Sequence, residues 1–218
     1  MQNMEAATRV AGRVREQGGR SLAIKTDLPY PRSQPLVEET IRQFGVLDVL
    51  INNAGITVKG TLQELEESTW DRVIDVNLKG TFLCTKAAIR HMIPRKSGRI
   101  VNISSSQWFR PGGSSTPAYN ASKGGIVSFT KAVALELAPY SISVNVVVPA
   151  LTDTPMVRAL YSTEEAWRQA ATSSRLTPPL GKINQPEDIA EAVLFLVKPA
   201  SRYITGQALH VNGGSLMW

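Results

Sequence analysis

Residues 46–55 read VLDVLINNAG, an apolar run interrupted by one aspartate and closed by two asparagines, an alanine and a glycine. A strand with one wet face alternates apolar and polar residues, whereas a near-continuous apolar run suits a parallel strand covered on both faces. GRIVNISS (98–105) and SISVNVVVP (141–149) have the same character, and SLAIKTD (21–27) and QALHVNGG (207–214) read as shorter strands. Between them the apolar spacing is helical. One helix, from Met4, stops at Gly18-Gly19, and SQPLVEETIRQFG (33–45) closes on Gly45. Residues 68–93 are expected to be helical up to Pro94, residues 117–137 form a long helix, and QPEDIAEAVLFLVKP (185–199) is bounded by proline at both ends. Strands alternating with helices of this length predict an α/β fold, a doubly wound parallel sheet in a single domain over residues 1–218.

The totals narrow the function classes. The chain has 218 residues, 43% hydrophobic and 19% charged, which is ordinary globular composition. Its only cysteine, Cys84, leaves no internal disulfide, and the N-terminus does not read as a leader, so a reducing cytoplasm is the expected compartment. No apolar run reaches the roughly 18–20 residues that cross a bilayer, so no membrane role is expected. The net charge of +6 is spread along the chain without basic blocks, which argues for an anionic small ligand over nucleic acid.

Ligands of open parallel sheets bind at the carboxyl ends of the strands. Those ends carry Asp27, Asn52-Asn53-Ala54-Gly55, Ser104-Ser105-Ser106 and Pro149-Ala150. Turn chemistry alone explains any one of these clusters; the whole set points to a site. The next helix opens PAYNASKGG (117–125), which places Tyr119 and Lys123 four residues apart on one face. A phenol is a weak acid or base at neutral pH, and a neighbouring cation favours its phenolate. A serine hydroxyl at the strand end would hold a carbonyl or alcohol oxygen while Tyr119 exchanges a proton with it. Cys84, His91 and His210 have no ligand partners at metal spacing, so no metal site is expected.

These motifs resemble the short-chain dehydrogenase/reductase family over essentially the whole chain, in particular members like the 3-oxoacyl-carrier-protein reductases and glucose dehydrogenases. The resemblance rests on Asn52 to Gly55, Val76-Asn77, Ile103-Ser104-Ser105, Tyr119 with Lys123, Pro149 to Thr154, and Ile204 to Gln207 leading to Val211-Asn212-Gly213-Gly214. It implies a Rossmann-like fold and an NAD- or NADP-dependent oxidoreductase that interconverts a carbonyl and a secondary alcohol. Tyr119 would be the general acid/base, and Lys123 would lower its pKa and hold the nicotinamide ribose. Ser105 would position the substrate oxygen, and Asn77 would hold a water in a proton relay. Asn53, Ala54 and Gly55 would border the adenosine, with Asp27 and Leu28 against adenine. Pro149, Ala150, Thr152 and Thr154 would line the nicotinamide and pyrophosphate. Residues 154–185 would form a substrate lid, where Tyr161 and Trp167, together with Trp108 after the serine strand, either line an apolar pocket or pack the lid. Homodimers or homotetramers are implied, built through residues 69–93, 117–137 and the C-terminal strand and tail.

Two departures from the family pattern concern single residues. Ala150 stands where glycine is usual. The segment before Tyr119 is one residue longer than usual, so counting back from Tyr119 gives Ser106 while counting along the strand gives Ser105; loops absorb length changes, which favours Ser105. A third departure is the start. The family opens with a strand, a glycine-rich turn, a helix and a second strand, about 30–40 residues on the scale of a βαβ unit, and this chain begins after them. Three outcomes are then open: residues 21–27 pair directly with 46–55, burying Leu22 and Ile24, which is the favoured one; another chain fills the gap between them; or the segment up to about Phe44 is poorly anchored. The 218 residues alone are expected to bind nicotinamide cofactors weakly or not at all. Two readings follow: an oxidoreductase whose sequence is given in part, and a catalytically silent fold that associates with itself or with full-length relatives.

Overall fold

The computed structural model describes residues 4–26, 33–109, 116–173 and 177–217. Four parallel strands form one sheet in the order β1-β2-β3-β4: β1 Val49–Asn52, β2 Gly98–Ile103, β3 Ile142–Pro149 and β4 Ala208–Val211. The helices are α1 Met4–Glu16, α2 Ser33–Phe44, α3 Glu67–Ile74, α4 Gly80–Arg95, α5 Pro117–Leu137, α6 Pro155–Arg158, α7 Glu164–Thr172 and α8 Pro186–Val197. Alternation along the strands sorts the two faces. Ile100, Val144, Val146 and Val148 point to one side, where Ala88 and Met92 of α4 and Ile126, Val127, Ala134 and Leu137 of α5 close the core. Val101, Ile103 and Val147 point to the other, under Ile189, Ala192, Val193 and Leu196 of α8. The doubly wound α/β reading therefore holds.

A file of amides runs across the first face. Asn52 of β1 is in register with Asn102 of β2. Asn52 Nδ2 donates to Thr85 Oγ1 of α4 at 3.1 Å and to Asn102 Oδ1 at 2.8 Å, and Asn102 Nδ2 donates to Thr130 Oγ1 of α5 at 2.9 Å. Buried amides are tolerated when every group finds a partner, and here the partners tie two helices to two strands.

Three expectations are corrected. Residues 21–26 form no strand and do not pair with β1; Leu22 remains 44% exposed. Their polar groups are taken up by the neighbouring helices instead: Ser21 Oγ donates to Ala11 O of α1 at 2.7 Å, and Arg20 Nη2 donates to Gln43 O of α2 at 2.7 Å. Asp27 lies outside the described residues. Second, β1 is not covered on both faces. It pairs with β2 on one edge, and Val49 and Ile51, on the α8 side of the sheet, are 37% and 38% exposed. Third, the long helix runs past Pro94 to Arg95, where Lys96 ends it in the left-handed conformation at φ 49°. It is also broken in the middle by one π turn, Asp75–Lys79, closed by a hydrogen bond from Gly80 N to Asp75 O.

Removing the centre of the amide file leaves buried partners unsatisfied. Asn102→Ala is expected to lower stability by about 1–3 kcal/mol, read as a shift of the urea midpoint without a change in slope.

Candidate active site

The carboxyl ends of β1, β2 and β3 meet the start of α5 and the π turn at one edge of the sheet. Pro117 opens α5 at a position where its missing N–H costs nothing. Two turns of that helix carry Tyr119 and Lys123 on the face turned to β2. Lys123 is 4% exposed; its Nζ donates to Ile103 O at 2.8 Å and lies 5.5 Å from the centroid of the Tyr119 ring. Burial pulls its pKa down to about 8. Ser104 Oγ returns a bond to Lys123 O at 2.8 Å, so the end of β2 is stitched to α5 through both main chains.

Ser105, extended at φ −162° and ψ 147°, accepts at Oγ from Gln107 N at 3.3 Å, and its hydroxyl lies near enough to the Tyr119 phenol to lower the phenol's pKa. Ser106 instead opens a short 3-10 turn, its carbonyl capped by Phe109 N. Counting along the strand thus finds the serine that meets Tyr119. The phenol itself departs from the sequence expectation. Burial pushes it above the ordinary tyrosine value, and the nearby Ser105 hydroxyl offsets only part of that rise. Lys123 gives a hydrogen to a carbonyl and stands beside the ring, which is why its charge does not dominate the phenol.

Asn77 sits fully buried in the π turn. Its Oδ1 accepts from Ile56 N at 2.8 Å and its Nδ2 donates to Ile56 O at 2.9 Å, clasping both main-chain groups of one residue in the loop after β1. The same Nδ2 reaches Ser122 Oγ of α5 at 3.0 Å. The side chain is therefore a structural clamp between that loop and the Tyr119 helix. Beside it, a Cβ built on Gly55 would come 3.3 Å from Asn77 Oδ1 and 3.5 Å from Lys123 Nζ, so the bare backbone keeps a floor open next to the ammonium.

Asn53 and Ala54 lead into this floor and are exposed. Pro149 ends β3, and Ala150 N donates to Val211 O at 2.9 Å, so the strand edge is held by β4 with a methyl where glycine was expected. Thr152 is buried, its hydroxyl bonded to Ala150 O at 2.9 Å, and Thr154 caps α6 by accepting from Val157 N at 3.3 Å. Both hydroxyls are thus engaged locally. Leu28, expected beside adenine, is outside the described residues, as is Asp27.

The aromatic residues divide. Trp108 packs on the α5 core beside Ile126 and Val127. Trp167 of α7 is 3% exposed and stacks at 5.3 Å on Tyr161, which Lys59 Nζ faces at 5.4 Å. Lys59 Nζ also donates to Leu160 O, tying the loop after β1 to the segment after Thr154. Lys59, Ser122, Gln107 and Thr116 escaped the sequence reading. A polar residue two beyond the strand-end serine was the one available signal for Gln107. Among the described residues no group of three or more histidines, cysteines or acids is placed to hold a metal. No helix among them is long and apolar enough to cross a membrane.

The arrangement presents a hydroxyl donor, a phenol and a buried ammonium around one opening, the parts needed to bind an oxygen and move a proton on or off it. The family described as enoyl-(acyl carrier protein) reductase matches residues 1–215. A 3-oxoacyl-(acyl-carrier-protein) reductase of Staphylococcus aureus is 39% identical over 214 residues, 98% of this chain and 84% of that protein. A (2S)-[(R)-hydroxy(phenyl)methyl]succinyl-CoA dehydrogenase subunit of Thauera aromatica is 44% identical over 179 residues, 82% of this chain and 69% of that one. A cis-4-hydroxycyclohexanecarboxylate dehydrogenase of Sinomonas cyclohexanicum is 38% identical over 212 residues, 96% and 82% of the two chains.

The buried ammonium has a signature in stability. Lys123 titrates near 8 in the folded protein and at its ordinary value of 10.5 when unfolded. Between those values the unfolded chain binds more protons, so stability rises with pH; below about 8 the full cost of burying the charge is present. The stability of the wild type relative to Lys123→Met is expected to increase by a few kcal/mol from pH 7 to pH 10.5. Urea unfolding across that range checks it, and a flat difference would mean the ammonium is solvated.

Proposed function

The chain belongs to the short-chain dehydrogenase/reductase family of NAD(P)-dependent oxidoreductases, and from that premise we propose that it interconverts a carbonyl and a secondary alcohol with Tyr119 as the general acid/base. The observation that carries the reading is the Ser105 hydroxyl set beside a phenol whose own helix buries Lys123 one turn away, its Nζ 5.5 Å from the ring centroid.

The floor beside Gly55 and the ammonium of Lys123 fit a nicotinamide cofactor. Lys123 has hydrogens beyond the one given to Ile103 O and is mainly protonated at neutral pH, so it would hold ribose hydroxyls together with Tyr119. Asn53, Ala54 and Gly55 would border the adenosine, and Pro149, Ala150, Thr152 and Thr154 the nicotinamide and pyrophosphate. The bound nicotinamide supplies or accepts the hydride. Ser105 donates to the substrate oxygen and fixes it against Tyr119, which gives its proton to that oxygen in reduction and takes one back in oxidation. A phenol raised by burial is protonated at neutral pH, the form that reduction uses. Oxidation needs the phenolate and gains with rising pH. Asn77 acts by holding the Ile56 peptide and Ser122 in place; a water held at its carbonyl side would extend the relay.

Trp108 would flank the substrate oxygen's apolar side, with Tyr161 and Trp167 setting the shape of the lid over residues 154–185. The cytoplasm is the proposed compartment for a chain whose single cysteine is buried. A homodimer or homotetramer is proposed because apolar groups stand outward on the helices and tail: Phe82 41%, Leu135 81% and Met217 78% exposed. Light scattering at micromolar concentration is expected to give twice or four times the 23.7 kDa chain mass, and a monomer would refute this.

The central test offers NADH and NADPH with a panel of small polar and bulky apolar carbonyl compounds. Tyr119→Phe is expected to lower kcat/KM at least about 100-fold with cofactor binding retained, and Trp108→Ala to shift preference within the panel. A full-rate Tyr119→Phe enzyme would overturn the assignment. Absence of nicotinamide binding by residues 1–218, seen by calorimetry, would favour the second reading, a silent fold acting through association.

A further inference from the structure

Ser105 and Tyr119 belong to different elements, and two residues close to them in the chain, Gln107 and Thr116, face each other. Gln107 follows Ser105 by two positions, and Thr116 precedes Tyr119 by three. Thr116 is buried at 3% exposure, and its Oγ1 donates to Gln107 Oε1 at 3.1 Å. Gln107 N in turn donates to Ser105 Oγ at 3.3 Å. Thr116 O accepts from Asn120 N at 3.0 Å, the first turn of the helix that carries Tyr119. A continuous set of bonds thus links the serine hydroxyl to the base of the tyrosine helix by a route separate from the Ser104 and Lys123 bonds.

Building on the oxidoreductase reading, we propose that Gln107 and Thr116 form a clasp that fixes the Ser105 hydroxyl against the Tyr119 phenol, making both positioning residues for proton transfer. A serine side chain has three staggered wells. The Gln107 N–H selects the one whose lone pair faces the 3-10 turn, leaving the hydroxyl hydrogen and a second lone pair for phenol and substrate. The main chain alone does not secure this, because the turn after Ser105 is short and Phe109 beyond it is half exposed. The glutamine side chain supplies the missing constraint by anchoring the turn to a buried hydroxyl at the start of α5. Thr116 has one hydrogen to give. Donating it to Gln107 leaves its lone pairs toward Asn120, whose Oδ1 or amide nitrogen lies 3.3 Å away according to which end faces it. Lys123, on the same helix as Tyr119, is the charged group set against the phenol, and the β2 end and its turn present the neutral Ser105. Because catalytic geometry tolerates little displacement, loosening the clasp acts on the transition state more than on binding.

The test reads the phenol directly. Tyrosine labelled with carbon-13 at Cζ is introduced into the full chain, the Tyr119 signal is assigned by its loss in Tyr119→Phe, and its titration is followed in wild type, Thr116→Val, Thr116→Ser and Gln107→Met. The Ser105 hydroxyl beside the phenol lowers its pKa, so Thr116→Val and Gln107→Met are each expected to move the titration upward, the double variant no further than either, and Thr116→Ser to stay with wild type. In turnover the first two lose roughly tenfold in kcat with KM held. An unmoved Tyr119 titration in both variants overturns the proposal, as does a loss confined to KM, which would make Gln107 a substrate contact. Should Thr116→Val fail to fold, Gln107→Met decides by the same readout. The titration needs no turnover, so a chain without oxidoreductase activity would refute the proposed function while leaving the clasp to stand or fall on the phenol.

Discussion

The site depends on keeping a lysine ammonium almost out of water. Desolvating a cation costs several kcal/mol even after relaxation, and here the direct return is one bond to Ile103 O and a nearby aromatic ring. The fold absorbs that cost because the surrounding pieces are fixed for other reasons. Val144, Val146, Val147 and Val148 make β3 fully buried, Ile126 and Val127 hold α5 on it, and β2 is locked between β1 and β3. Lys123 has nowhere to relax to. Its reciprocal bonds with the main chain of β2 then set the distance between the serine strand and the tyrosine helix.

The second constraint enters from the other side of the site. A regular helix through residues 67–95 would advance its faces by a constant angle; the π turn at Asp75–Lys79 inserts an extra residue and re-aims the face that follows. Asn77 occupies that turn and spends its amide on both polar groups of Ile56 and on Ser122. One side chain thereby positions the loop after β1 and the helix bearing Tyr119. The glycine at 55 belongs to the same arrangement, since a Cβ there would press on Asn77 Oδ1 at 3.3 Å and come into contact with Lys123 Nζ.

Much of this was legible in the sequence because it follows from periodicity and local chemistry. The i, i+4 spacing of Tyr119 and Lys123, the valine-rich β3 and the polar strand ends all translate directly, and Ser105 could be separated from Ser106 by trusting the strand over the loop. What was not legible depends on neighbours distant in the chain. The apolar run at 46–55 predicts burial on both faces, yet exposure of Val49 and Ile51 is decided by what else lies against that side of the sheet. Residues 21–26 have a strand's composition, but Ser21 and Arg20 find partners on α1 and α2. Asn102 looks like a polar break in a strand until Asn52 and Thr130 meet it across the sheet. The direction of the Tyr119 shift required knowing how far the phenol is withdrawn from water, which spacing alone cannot supply.

The bonding pattern also separates a deeply held half of the site from one held near the surface. Ser105, Tyr119, Lys123 and Asn77 are held by buried, mostly main-chain partners, and each is anchored to β2, α5 or the π turn. The segment after Thr154 is held differently. Arg158 grips Asp153 through both Nε and Nη2, at 2.6 and 2.8 Å, and reaches Glu164 at 3.1 Å, all near the surface, while Lys59 fastens Leu160 from the opposite loop. Surface ion pairs are individually weak and screened by salt. Trp167 and Tyr161 give the segment a small core of its own, apart from the bonds that hold Lys123 and Asn77. The groups at the strand ends are therefore fixed by the sheet, the long helix and the π turn, and the segment after Thr154 by contacts nearer the surface.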